Sequence, residues 1–348
     1  MSKHHILILH YNSLPLLHGA ALKCVTTLAK AGYKVTLVKL APRTDSGQEE
    51  DQRIYQQVPS DVTIRQLKLI TRRLPRFAMQ SLKFIEMLFR FIGVVLRTPC
   101  DCVMGFDPPA VLPAYLGARV SGKPVLHFAL ELYPEQHWVR GKTIWRIISR
   151  FLGPRVNGLV VVDEKRAEYM VGHYRARNPV VINNTPSFRL VERTTVLQDT
   201  AKSQGSSATK IGLYQGQIEA PRGVEQLIEA GVYLDEGVAI AIIGKAEPDY
   251  EMFLRQKIRD LGLEHKIFLL KPVPPAEVWQ YTASAHCGLI VHLPISLNFQ
   301  LNVGATNKLY EYFMAGIPVL APNYPGYPEL IEGEQVGKCV DPHDPRAI

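Results

Sequence analysis

In the run TNKLYEYFMAGIPVLAP, Lys308 and Glu311 stand three positions apart, the spacing that puts two side chains on one face of a helix. Thr306 or Asn307 is suited to cap that helix, and Gly316 and Pro318 to end it, so Glu311 is expected in about its first turn. A carboxylate there can hold a pair of vicinal hydroxyls, and Lys308 beside it can neutralise a phosphate. A second run, IGLYQGQIEAPRGVEQLIEA, places Gly216 directly after an apolar strand pattern and Gly223 directly before a helical one, with Arg222 between them. Glycine lets backbone approach a ligand, a helix start offers free N–H groups, and a guanidinium forks onto phosphate, so these three residues define a candidate anion site. A third run, VLHFALELYPEQ, ends a strand pattern with His127, Glu131 and Glu135, three titratable groups in close succession.

The elements that must position these groups alternate between period 2 and period 3.6 almost throughout, the pattern of parallel sheets covered by helices on both faces. In the first half, strands are expected at residues 6–9, 35–40, 62–67, 102–105, 125–130 and 158–162, with helices at 19–31, 77–96, 109–120 and 143–152. From Asn183 to Thr209 the chain is polar with a Ser/Gly cluster, and no periodic apolar face is evident. A linker is therefore expected at 187–209, separating a domain over 1–186 from one over 210–348. The second half repeats the alternation, with strands at 211–214, 238–243, 267–270, 288–291 and 319–321 and helices at 224–232, 250–261 and 308–315. The expected class is α/β with two doubly wound domains. In such folds ligands collect beyond the carboxyl ends of the strands, and two facing domains place them in the cleft.

Composition sets outer bounds. The chain has 348 residues, 47% hydrophobic and 21% charged, which excludes a disordered or collagen-like chain. Its five cysteines (Cys24, Cys100, Cys102, Cys287, Cys339) have no CxxC pair and no histidine at zinc-ligand spacing, so a reduced chain without structural metal is expected. The N-terminus reads as a strand and not as a signal peptide, and no segment reaches 18 uninterrupted apolar residues. Charge divides unevenly: residues 1–175 hold 25 Lys+Arg against 13 Asp+Glu, and residues 176–348 hold 15 against 19, giving +12 and −4. The first half is expected to meet something anionic.

NKLYEYFMAGIPVLAP resembles the signature of family 4 retaining glycosyltransferases of the GT-B fold, and QGQIEAPRGVEQLIEA, VAIAIIGKAEP and PGYPELI resemble, in order, other parts of the same family's nucleotide-sugar domain. ELYPE at Glu131–Glu135 resembles the D-L-W-P-E run of a branch that adds amino sugars to lipid-linked acceptors. The resemblance implies two Rossmann-like domains facing a central cleft and transfer of a hexose or amino sugar from a nucleoside diphosphate sugar to a lipid-linked or polysaccharide acceptor in cell-surface glycan synthesis. It implies Glu311 on the donor ribose, Gly216, Arg222, Gly223 and Lys308 around the phosphates, and Gly19 in the loop NSLPLLHGAALK facing the pyrophosphate. His127 and Glu131 would contact the donor sugar or deprotonate the acceptor, and Asn184 matches a position between the domains. Three positions depart from the family. Gln217 stands where a phosphate-binding Arg is usual, Val303 stands where the E-x7-E pair has its first Glu, and the chain stops at DPHDPRAI where relatives continue into a helix, so a truncated C-terminus is one expectation.

No cofactor and no metal is expected beyond the nucleotide sugar itself, since the chain has no Asp-x-Asp motif to hold an ion. Residues 72–97 mix Phe77, Phe84, Phe91 and aliphatics with Arg76, Lys83, Arg90 and Arg97, which suits a helix lying in an anionic headgroup layer. The expected location is therefore cytoplasmic, peripheral at the inner face of the membrane, and nucleic acid is not an expected partner. Two other readings of the same fold are a nucleotide-sugar 2-epimerase and a degenerate protein that binds donor or partner without turnover.

Overall fold

Alternate residues along the strands feed separate apolar layers, as expected for sheets buried on both faces. The computed structural model describes residues 4–12, 19–42, 44–56, 58–73 and 80–348, and the chain divides into two units, residues 1–182 and 183–348. In the first unit, β1 (His5–His10), β2 (Lys34–Leu40), β3 (Val62–Leu67), β4 (Cys102–Phe106), β5 (Val125–Ala129), β6 (Gly158–Val161) and β7 (Pro179–Val181) form one sheet in the order β3-β2-β1-β4-β5-β6-β7. Every pairing is parallel. In the second, β8 (Lys210–Gln215), β9 (Val238–Ile243), β10 (Ile267–Leu270), β11 (Cys287–Leu289), β12 (Val319–Pro322) and β13 (Gly337–Val340) form a parallel sheet in the order β10-β9-β8-β11-β12-β13. Ile211 and Leu213 of β8 pack with Ala239, Ala241 and Ile243 into one core. Tyr214 joins Ile240 and Ile242 in another. Both sheets are doubly wound, and each reverses strand order beside its first strand, at β1/β4 and at β8/β11, where side chains beyond the strand ends can converge.

The polar stretch at 187–209 is not featureless. Val196–Ser203 forms a helix whose Leu197 and Ala201, one turn apart, are 1% and 0% exposed in the second unit's core. The helices Asp45–Tyr55, Glu164–Tyr174 and Pro275–Ser284 and the strands β7 and β13 also go beyond the expected elements. On the helix Gln80–Arg97, Phe91 is fully buried in the first unit's core and Phe84 packs against that core, while Leu82, Ile85, Phe89 and Leu96 are exposed. The residues expected to meet lipid are thus interior, and a different set of the same helix faces out. Phe77 and Arg76 lie outside the described residues.

Candidate functional site

In the second unit the switch point is built around Gln215, the last residue of β8. Its Nε2 lies 2.5 Å from Glu311 Oε2 and its Oε1 lies 2.7 Å from Thr282 Oγ1. A carboxylate only accepts, so the amide must turn its NH2 toward Glu311 and its carbonyl toward the threonine hydroxyl. Gln215 is buried and Glu311 half-buried, and Tyr312 OH, bonded to Leu213 O at 2.9 Å and to Gln215 N at 3.3 Å, fixes the strand end to the helix Asn307–Met314. Glu311 is the fifth residue of that helix, in its second turn rather than its first, and Thr306 at the N-cap makes no side-chain capping bond.

Lys308, one turn back on the same face, places Nζ 3.9 Å from the centre of the Tyr214 ring and makes no hydrogen bond or ion pair with the described residues. Burial and the nearby Arg222 charge pull its pKa down to about 7, against the upward pull of Glu311. Arg222 sits in the turn Ala220–Arg222 with its guanidinium 5.1 Å from the centre of the Phe299 ring, and its Nε is buried without a hydrogen-bond partner among the described residues. His292 beside them is neutral, held down to about 3 by burial and by the Lys308 and Arg222 charges.

The two glycines differ. Gly216 is exposed at φ +128°, and a Cβ there would come within 3.3 Å of Lys308 Nζ, so bare backbone and an ammonium share one opening. Gly223 is buried at φ +72°, and a Cβ would collide with the Val291 carbonyl, so close packing alone demands glycine there. Gln217 is exposed and its carbonyl accepts from Tyr214 OH at 2.6 Å. Val303 packs against the core, and Asn184 donates its N–H to Gly304 O at 2.8 Å in the loop before the Glu311 helix.

In the first unit the matching switch point gathers acids. Asp107 follows β4 directly, with φ +56° and 4% exposure, and its Oδ1 accepts the Glu131 N–H at 3.1 Å. Burial and then the Glu131 charge raise its pKa to about 8 despite Arg166 and the backbone N–H groups of Glu131 and Leu130. Glu131 accepts from Gln136 Nε2 at 2.9 Å and lies 3.7 Å from Arg166 NH1. Tyr11 and Tyr133 flank this pair, each raised by burial and by Asp107. Glu135 is engaged elsewhere, on Arg146, Tyr169 and Tyr174. His127 is enclosed at 3% exposure and neutral, lowered to about 4 by burial, and its Nε2 has no hydrogen-bond partner among the described residues. Gly19 caps the helix Ala20–Lys30 through its carbonyl, and residues 13–18 of its loop lie outside the described residues.

The structure thus brings Gly216, Arg222, Lys308 and Glu311 around one switch point and leaves Gly223 in a packing role beside it. Gln215, Thr282 and Asp107 were missed. A glutamine at a strand end and an Asp before two prolines carry no signal of their own, although Asp107 stands directly after an apolar strand run, where the open-sheet rule points.

The family model described as glycosyl transferases group 1 matches residues 198–348, and the model described as glycosyltransferase family 4 matches residues 20–185. No curated protein sequence matches the chain. Among solved structures, Anabaena HepE in complex with UDP and glucose shares 17% identity over 98% of this chain and 87% of its own, with a TM-score of 0.71. WaaB, a lipopolysaccharide outer core galactosyltransferase, shares 16% identity over 97% and 86%, with a TM-score of 0.66.

Proposed function

We propose that the chain is a glycosyltransferase of the GT-B fold, a reading that the matches over residues 20–185 and 198–348 support, and that it moves a hexose or N-acetylhexosamine, with retention, from a nucleoside diphosphate sugar to a lipid-linked or polysaccharide acceptor. The observation that carries this reading is the pair of neighbouring basic side chains, Lys308 and Arg222, with no ion pair on either among the described residues and a buried guanidinium Nε left unbonded. Two like charges held together with a polar atom unpaired cost stability unless an anion joins them. A diphosphate supplies that anion. Glu311, oriented by Gln215, then takes the ribose hydroxyls, and the open backbone at Gly216 admits the phosphates.

Charge builds on the diphosphate as the glycosidic bond breaks, and donors already aimed at it lower that barrier more than they tighten the ground state. Charge neutralisation falls to Arg222 and Lys308, so the reading needs no divalent metal and no cofactor besides the sugar nucleotide. In the first unit, the Glu131 carboxylate takes the acceptor proton, and the unbonded Nε2 of neutral His127 offers a hydrogen bond to a sugar hydroxyl. The reading places the protein at the inner face of the membrane. No described helix is long and apolar enough to cross one, and the exposed apolar residues of Gln80–Arg97 support attachment at the surface.

The test is incubation with a panel of nucleotide sugars, headed by the UDP-glucose bound in a HepE structure, with and without membrane lipid extract. Nucleotide released only with acceptor supports transfer. A new sugar nucleotide formed without acceptor would make the protein an epimerase, and no change in either arm would leave a binding protein.

A further inference from the structure

The first unit contains a cavity that the groups assigned above do not account for. Its volume is about 840 Å³, at the upper end of the roughly 300–1,000 Å³ of small-molecule sites. It lies between the helix Gln80–Arg97 and residues 138–148. One wall is a chain of edge-to-face rings, with Phe84 on Trp145 at 5.2 Å, Trp145 on Tyr133 at 5.1 Å and Tyr133 on Trp138 at 5.7 Å. Such packing makes the wall rigid and apolar before any ligand arrives. At one end Tyr133 and Tyr11 reach the Asp107 and Glu131 pair. At the other, Ile144 and Trp138 are 63% and 54% exposed, beside the exposed Ile147 and Phe151 of the helix Lys142–Leu152.

Two cations line this space, the half-buried Lys83 and the exposed Arg140, beside the neutral polar Asn12 and Ser81, and among the described residues no Asp or Glu does. Neither cation makes a hydrogen bond or ion pair with the described residues, whereas the neighbouring Arg146 is bound to Glu135. A purely apolar ligand would take water from the half-buried Lys83 without pairing its charge, and a free sugar would need neither cation. An apolar chain ending in phosphate matches both features, and the exposed apolar mouth lets such a chain enter from a bilayer.

We propose that this cavity binds a long-chain lipid phosphate or diphosphate, its chain against Phe84, Trp145 and Trp138 and its phosphate on Lys83 and Arg140. This rests on the reading of the protein as a transferase and names its acceptor as lipid-borne, presented to the acidic pair at the cavity's inner end.

The chain has three tryptophans, and two of them line the cavity, so in a Trp279→Phe background emission reports the cavity alone. Farnesyl diphosphate, a short isoprenoid diphosphate, is titrated against farnesol, inorganic pyrophosphate and phosphatidylglycerol vesicles. The expected result is an emission shift with farnesyl diphosphate at an affinity at least tenfold above farnesol and pyrophosphate. Lys83→Ala with Arg140→Ala, both at positions where truncation leaves the core intact, should remove that tenfold and leave farnesol binding unchanged. No shift with farnesyl diphosphate, equal affinity for farnesol, or indifference to the double substitution would each overturn the assignment. So would a shift with vesicles that farnesyl diphosphate cannot compete away, which marks a membrane-docking face instead. UDP binding by calorimetry tests the donor reading separately: UDP bound without farnesyl diphosphate sinks the cavity assignment alone, and the converse sinks the donor site and leaves the cavity standing.

Discussion

Gln215 donates to Glu311 across 2.5 Å while accepting from Thr282, so one buried amide sets the direction of the carboxylate that the sequence singled out. Glu311→Gln puts two amides face to face and removes the charged acceptor. Nucleoside diphosphate binding should weaken by roughly 1.5–3 kcal/mol, with the melting temperature nearly unchanged. Unchanged affinity with a lowered melting temperature, measured by calorimetry, would return Glu311 to a purely structural role.

With a diphosphate on Lys308, nucleotide binding should be pH-dependent. Its free pKa is about 7, below the ordinary 10.5, and a bound diphosphate favours the charged form and raises it. Binding therefore takes up protons between these values, and affinity should fall as pH climbs from 7 to 9 and level off below 7. The same shift acts on stability. The unfolded lysine stays charged up to about 10.5, so the ligand-free fold carries the burden of a buried cation below 7 and sheds it as pH rises. Lys308→Met should flatten the affinity profile and stabilise the ligand-free protein at pH 6, with calorimetry in buffers of different ionisation enthalpy reading the protons.

Arg222→Ala should cost UDP affinity by a factor of ten or more and leave uridine nearly untouched, because the guanidinium is assigned to phosphate. Equal losses for both ligands would take Arg222 out of the phosphate site.

Asp107 imposes the opposite pH slope. With its carboxyl raised to about 8 from 3.8, the folded state keeps a proton that the unfolded state releases, so this contribution to stability is full below about 4 and is lost as pH rises to 8. Asn keeps the acceptor oxygen and tolerates positive φ. Asp107→Asn should therefore raise the melting temperature at pH 8.5 more than at pH 5.5, and an equal change at both would show that the carboxyl is not protonated in the fold.

The two faces of the helix Gln80–Arg97 separate membrane attachment from packing. Phe91→Ala should destabilise by about 3–5 kcal/mol, as a buried ring deletion does. Phe89→Ser with Ile85→Ser, one turn apart and both exposed, should leave the fold intact and reduce sedimentation with anionic vesicles. Undiminished sedimentation would exclude this face from the contact.

The alternation of strands and helices was readable because apolar periodicity marks most of it. It failed at two helices whose buried face carries a charge. In DSGQEEDQRIY, Asp51 points inward onto Lys39 of β2 at 2.6 Å, and in EKRAEYMVGHY the innermost side chain is Arg166. An apolar pattern cannot announce a helix whose interior contact is an ion pair. The same limit explains the candidate site. Glu311 and Lys308 were legible because helix spacing puts them together, while Gln215 meets Glu311, and Thr282 meets Gln215, only through the crossover of a six-stranded sheet.

The helix at Val196–Ser203 decides where the second unit can be cut free. A fragment beginning at Lys210 would lack Leu197 and Ala201, opening a void under Ile211 and Ala239 and losing the Leu197 N–H bond to Ser284 Oγ. One beginning at Asn183 keeps that plug and the Asn184 tether to the Gly304 loop. Heterologous production of the second unit should accordingly give a monodisperse, cooperatively melting protein from the longer fragment and an aggregating one from the shorter.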